Sequence, residues 1–200
     1  MTEGRIKNGG SLWPWIAAGA LLAVGLGAGA YFFFSEAKPV EKLVPAGGFA
    51  EITGYAGPTI SAKLYFPSKD DGYLKAEVRP VREVVDKTEQ VKEVVGELIR
   101  GPRPGGVLTP SFPAAARVKS VLIDDKGTAY VNFSRELIQE HPGGAWTETL
   151  TIYSLVNTLA EDFPEIKRVK ILVEGAEVPT LAGHIDTSRP FVPRAAMNRG

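Results

Sequence analysis

Cysteine is absent from all 200 residues. That excludes structural disulfides, thiolate metal sites, a thiol nucleophile and lipid attachment through cysteine. Histidine is nearly absent: His141 stands in a Pro-Gly-Gly loop sequence and His184 in an irregular C-terminal stretch. Neither has a His, Cys or carboxylate partner at metal-ligand spacing. His184 with Asp186 would orient a general base, but no motif marks a nucleophile for it to serve. A surplus of either charge is missing as well, with Lys and Arg at 23 and Asp and Glu at 23. Arg5, Lys7, Lys38 and Lys42, against Glu3, Glu36 and Glu41, fall in the first 50 residues, leaving 19 basic and 20 acidic beyond them. No whole-domain field draws in polyanions, so nucleic acid is not an expected partner.

Phosphate and calcium signatures are missing too. Residues 101–106, Gly-Pro-Arg-Pro-Gly-Gly, lack the Gly-Lys-Ser/Thr ending of a phosphate loop and follow a helical pattern instead of a strand. A helix C-terminus offers carbonyls, the wrong polarity for phosphate. Asp70-Asp71 and Asp124-Asp125 sit in turn sequences, where Asp bonds nearby main chain, and calcium would need further oxygens at loop spacing. The expectation is a non-enzyme with no catalytic residues, no metal and no cofactor.

What is present begins with a long uncharged run. Leu12 to Ser35 carries no charge, and Trp13 to Phe34 is apolar or small. As a helix, Trp13–Phe34 would be about 33 Å long, against a hydrocarbon core of roughly 30 Å. Trp13 and Trp15 mark one end, and Tyr31 to Phe34 the other, as interfacial rings do. The run reads as a transmembrane anchor over 12–35, after a short flank over 1–11. A cleaved signal peptide is the competing reading, since Ala28-Gly29-Ala30 has the small-x-small form of a cleavage site. Against it, the apolar run continues past that site. Basic residues flank both ends almost equally; the short N-terminal flank favours a cytoplasmic N-terminus and an exported C-terminal part. Gly25 and Gly29 form a G-x-x-x-G pair, a candidate helix-dimer face. Residues 36–58, rich in Pro and Gly without periodicity, read as a flexible linker with a reach of roughly 25 Å.

The folded part is expected over 59–193, with a disordered tail over 194–200. Ala62, Leu64 and Phe66 alternate with Lys63 and Tyr65, and Leu74, Ala76 and Val78 alternate with Lys75, Glu77 and Arg79, predicting a hairpin. Asp86 with Glu89 resembles a capping box, and Val91, Val94, Val95, Leu98 and Ile99 share a helical face stopped by Gly101-Pro102. A second hairpin is predicted over 118–133 and a short helical turn through Gln139. A helix follows over about 147–161, then a strand at Val169, Ile171 and Val173. The fold class is α+β: one small domain, a mostly antiparallel sheet with helices on one face, preceded by one transmembrane helix.

Several segments occur in a familiar order: Lys63-Leu64-Tyr65-Phe66, Leu98-Ile99-Arg100-Gly101-Pro102, Tyr130-Val131-Asn132-Phe133-Ser134, Val156-Asn157-Thr158-Leu159 and Val169 to Gly175. With Leu181-Ala182-Gly183-His184, Asp186 and Pro190, this set resembles the germane (GerMN) domain of bacterial sporulation and spore-germination proteins, over about Ala62 to Phe191. The resemblance implies an extracytoplasmic domain of the bacterial envelope, held by a lipid or a membrane helix. It further implies no established catalytic activity, an association with sporulation or peptidoglycan-related assemblies, and a fold similar to small α+β ring-building modules. The sequence departs from the sporulation pattern in having one domain copy and a membrane helix instead of a lipidated cysteine.

Five arginines, Arg79, Arg82, Arg100, Arg103 and Arg117, come from strand edges and the helix-stop loop and are the candidate rim for gripping carboxylates of a partner. Interleaved Glu77, Glu83 and Glu97 make an ordinary solvated surface the bland alternative. The expected function is a membrane-anchored, extracytoplasmic binding or assembly module whose partner is an envelope protein or a second copy. A ligand-binding module for peptidoglycan fragments or another small molecule is the alternative.

Overall fold

The computed structural model describes residues 57–199. The expected flank, the candidate span over 12–35 with Gly25 and Gly29, and nearly all of the linker lie outside the described residues. Among the described residues, no helix is long and apolar enough to cross a membrane.

Strands β1 (Thr59–Pro67) and β2 (Leu74–Arg82) form an antiparallel hairpin. Helix α1 (Lys87–Arg100) follows, and then β3 (Val118–Ile123) and β4 (Thr128–Phe133) form a second antiparallel pair. A one-turn helix α2 (Glu136–Gln139) and the long helix α3 (Ala145–Asp162) lead to β5 (Arg168–Val173), which pairs with β4 in parallel. The domain is thus α+β, but the single sheet expected from the sequence is two: β1-β2 and β3-β4-β5. The parallel pair follows from the connection, since a strand returning through a helix re-enters in the same direction.

Local sequence explains the helix limits. The Asp86 side chain accepts from Glu89 N at 2.9 Å, capping α1, although the Glu89 carboxylate turns to Lys92 Nζ at 3.4 Å and does not close a box. Gly101 ends the helix at φ 88°, a left-handed conformation that a side chain resists.

Ala62, Leu64 and Phe66 are fully buried against Val91, Val94, Val95 and Leu98 of α1 and Ile152, Leu155, Val156 and Leu159 of α3. The second strand corrects the predicted alternation. Ala62 stands opposite Arg79 and Leu64 opposite Glu77, so the inward face of β2 carries Glu77, Arg79 and Val81, while Val78 is 53% exposed. A period-2 pattern fixes the two faces but not which one is buried. Here the buried choice includes an arginine because acidic partners wait for it.

The two sheets stay separate because α3 occupies the free edge of β1. Ser154, Thr158 and Asp162 lie four residues apart along one ridge of that helix. Ser154 Oγ donates to the Tyr65 carbonyl, Thr158 Oγ1 accepts from Tyr65 N at 3.0 Å, and Asp162 accepts from Lys63 N at 2.9 Å. The strand edge therefore has its hydrogen bonds made by helix side chains.

The tail expected over 194–200 is docked as far as it is described. Met197 is buried with Tyr65, Leu74 and Leu150, Arg199 N donates to Leu74 O at 2.8 Å, and the Arg199 guanidinium lies 4.3 Å from the Tyr73 ring centroid. Asn157 on α3 receives Arg194 N at 2.9 Å and donates to its carbonyl at 3.1 Å. Main-chain pairing of this kind has no hydrophobic period to announce it.

Candidate functional site

Of the five candidate arginines, the structure gathers three around two carboxylates. Arg79, 8% exposed, forms an ion pair with Glu77, reaches Glu97 at 3.3 Å and donates to Gly101 O at 2.9 Å. Its guanidinium also lies 5.5 Å from the Phe66 ring centroid. Arg100 pairs with the same Glu97, and Arg103 stands 3.9 Å from Glu77 while its main-chain N–H donates to the second oxygen at 3.0 Å. Glu77 and Glu97 are themselves largely shielded, so this is a fixed network rather than a set of mobile surface pairs. Arg79 is the buried centre of it and not part of an exposed rim.

Arg82 pairs with Glu93, one turn earlier on α1. Arg117 faces Arg100 across a groove of about 440 Å³ bounded by Gly96, Ile99 and Arg100 of α1 and by Ala114, Ala116 and Val118. The Arg117 guanidinium donates to the Ala114 and Ala116 carbonyls at 2.8 and 2.7 Å, and its main chain exchanges bonds with Ser134 at 3.1 and 2.9 Å. These bonds fix the loop that feeds β3, with Phe112 stacked on Phe133 at 5.7 Å beneath it. The groove therefore has an apolar floor and a guanidinium on either bank.

The histidines serve structure. Burial holds His141 below the usual imidazole range; its Nε2 meets Thr151 Oγ1 at 3.1 Å and its Nδ1 accepts from Gly143 N at 3.1 Å. His184 Nδ1 lies 3.4 Å from Glu148, while Asp186 accepts from Ser188 N at 2.8 Å, so no His184–Asp186 dyad forms. The paired turn carboxylates bond their own loops: Asp124 accepts from Lys126 N at 2.9 Å and Thr128 N at 2.8 Å, and Asp71 from Tyr73 N at 3.1 Å. Among the described residues no three His, Cys, Asp or Glu side chains gather in a way that would hold a metal ion.

The sequence placed Glu77 and Glu97 beside the arginines only as parts of a solvated surface, and their role in organising three arginines comes from the fold. Reading the sequence missed the buried Glu148, which receives the N–H groups of Leu181, Ala182 and His184 at 2.8, 3.1 and 3.0 Å. A carboxylate in the first turn of α3, four residues before Ile152 on the apolar face, was the one available signal.

Fold and site together define a small α+β domain with a pinned C-terminal segment and a basic, apolar-floored groove. The germane family, described as sporulation and spore germination, matches residues 63–179, more than half of the chain. The chain belongs to that family. A candidate lipoprotein of Clostridium perfringens is 30% identical with a TM-score of 0.50, the match covering 67% of this chain and 87% of that one. The first GerMN domain of the sporulation protein GerM from Bacillus subtilis is similar in fold at 23% identity and TM-score 0.56, covering 68% of this chain and 98% of that one. The tandem GerMN domains of the same protein align at 22% identity and TM-score 0.53 over 70% of this chain but 48% of theirs. Among curated proteins none matches.

Proposed function

We propose that this chain is a membrane-anchored, extracytoplasmic binding or assembly module of the bacterial envelope and that it does no catalysis. The carrying observation is the uncharged run from Leu12 to Ser35, set upstream of a germane-family domain by a Pro- and Gly-rich stretch. The Clostridium perfringens relative, described as a candidate lipoprotein, supports an envelope setting. This sequence holds no cysteine, so the apolar helix takes the place of a lipid. The N-terminus stays cytoplasmic, Gly25 and Gly29 offer a face for helix pairing, and residues 36–58 tether the domain beyond the bilayer.

Proteolysis of intact spheroplasts expressing the full chain tests this directly. The expected result is a membrane-bound chain clipped from outside to a protected fragment near the anchor. A domain resistant until the spheroplasts are lysed places it in the cytoplasm and ends the envelope reading.

A second reading has its own observation. Arg100 and Arg117 flank a groove sized for a small ligand, and the carboxylates of a peptidoglycan stem peptide suit two guanidiniums. A rise in melting temperature with purified muropeptides supports it, and indifference removes it.

A further inference from the structure

The groove between α1 and the start of β3 adjoins an open sheet edge. Among the described residues β3 pairs only with β4, in the order β3-β4-β5. Lys119, Ser120 and Leu122 are exposed along it, Leu122 at 64%. An unpaired edge offers a row of main-chain donors and acceptors, the template for an added strand. Helix α1 packs against β3 and bounds the groove at the start of that strand, so a chain added along the open edge passes the groove at one end.

Two further features belong to this space. Gly96 lies within the continuous helix α1, although glycine is unfavourable inside a helix. Nothing lies within 4 Å of where its Cβ would stand, so no close packing requires the glycine, and the missing side chain leaves room in the groove. The charge is one-sided. Arg117 donates to two main-chain carbonyls, and no carboxylate among the described residues lies within ion-pair distance of it. Among the described residues Arg100 has one carboxylate partner, Glu97, and shares it with the buried Arg79. Lys119 on the strand itself is balanced by Glu174.

We infer that the groove and the β3 edge together form a docking site for an acidic, extended segment of a partner protein, added to the β3-β4-β5 sheet as a fourth strand. The alternation of a strand sends the carboxylates of such a segment to one face, where those at the groove end come within reach of a guanidinium, and its apolar residues to the other. Ile99, Ala116 and Val118 supply the apolar floor. The inference rests on the reading of this chain as a binding module and names what it binds.

Three fluorescein-labelled octapeptides test it with the purified full chain: alternating glutamate and valine, alternating lysine and valine, and the acidic one N-methylated at every second residue. The acidic peptide is expected to bind saturably and to weaken as salt is raised. The basic and N-methylated peptides are expected not to bind, the latter because it cannot complete a ladder. Arg117→Glu is expected to weaken binding by about tenfold, and Arg100→Ser by about three- to fivefold. The salt and N-methyl arms need no variant, so a poorly folding substitution does not blunt the test. Equal binding of the acidic and basic peptides, or indifference to N-methylation, overturns the docking site. A photo-cross-linker at position 122 that captures an envelope protein equally with and without Arg117→Glu also overturns it, while leaving the binding-module reading standing. Muropeptide binding without peptide binding overturns it in favour of a small ligand. The module reading itself falls only by the spheroplast result.

Discussion

Single residues hold positions here that no neighbour can take over. Gly127 closes the β3–β4 turn at φ 77°, and a Cβ there would stand 2.5 Å from Glu165 O. Its carbonyl accepts Lys167 N at 2.8 Å and Arg168 N at 3.2 Å, which locks the turn to the entry of β5. Gly127→Ala combines a disfavoured backbone conformation with a main-chain clash and should destabilise the domain by about 2–4 kcal/mol. Urea denaturation measures this, and an unchanged midpoint contradicts the turn geometry. Glu148 is a second such residue. Burial pushes its carboxyl up, but main-chain N–H groups from Leu181, Ala182, His184 and Ile185 outweigh that and hold it below the ordinary carboxylate range. Glu148→Ala leaves those donors without their acceptor in a fully buried place and should cost about 2–4 kcal/mol, read as a lower melting temperature. The conservative Glu148→Gln, which keeps one acceptor oxygen, should fall between the two.

At the scale of elements, α3 does the work of a strand. Its ridge of Ser154, Thr158 and Asp162 satisfies the edge of β1, and the last of the three is perturbed by doing so. Burial pushes the Asp162 carboxyl up to about 6 despite the Lys63 N–H that it accepts. The folded chain thus keeps a proton that the unfolded chain, at the ordinary value of 3.8, has already lost. Stability from this group is full below pH 3.8 and is lost as pH rises to about 6. Asp162→Asn removes the titration and keeps an oxygen for Lys63 N. The difference in melting temperature between wild type and this variant should therefore shift against the wild type from pH 4 to pH 6 and then level. His141 works the other way, since its lowered pKa withdraws stability as pH falls below the usual imidazole range. The subtraction isolates Asp162 from it, and a flat difference curve contradicts the burial of that carboxyl.

Periodicity made most of the elements legible and their partners illegible. The faces of α1 and α3 follow from Val91, Val94, Val95, Leu98 and from Ile152, Leu155, Val156, Leu159, all of which are buried. Strand β2 was harder, because Lys75, Glu77 and Arg79 look like an outward face until Glu97, 18 residues beyond Arg79, is seen to neutralise it. The polar ridge of α3 looks like a solvated stripe until β1 is laid beside it. The groove is less legible still. Arg100 and Arg117 stand out as cations in the sequence, but only the meeting of α1 with β3 makes them opposite banks of one channel.

For the whole molecule, the family match ends at residue 179 while the packed domain continues to its last described residues. Leu181 is 1% exposed in the main core, Phe191 exchanges two main-chain bonds with Val169 at 2.8 Å, and Met197 fills the second cluster. Lys170, 2% exposed, draws the segment down by donating to Thr187 O at 3.0 Å and Ser188 O at 2.6 Å. Removing residues beyond 179 therefore uncovers β5, takes both carbonyl acceptors from the Lys170 ammonium so that Glu177 at 3.2 Å is left to it, and leaves Glu148 without the donors that hold its charge. Buried polar groups that lose partners cost more than the apolar area alone. A chain ending at 179 should lose its cooperative thermal transition, whereas one ending at 193, where the sequence suggested the domain stops, should still melt cooperatively but at a lower temperature. Differential scanning calorimetry separates the two. A sharp, unshifted transition for the shorter chain would mean that the C-terminal segment lies on the domain without supporting it.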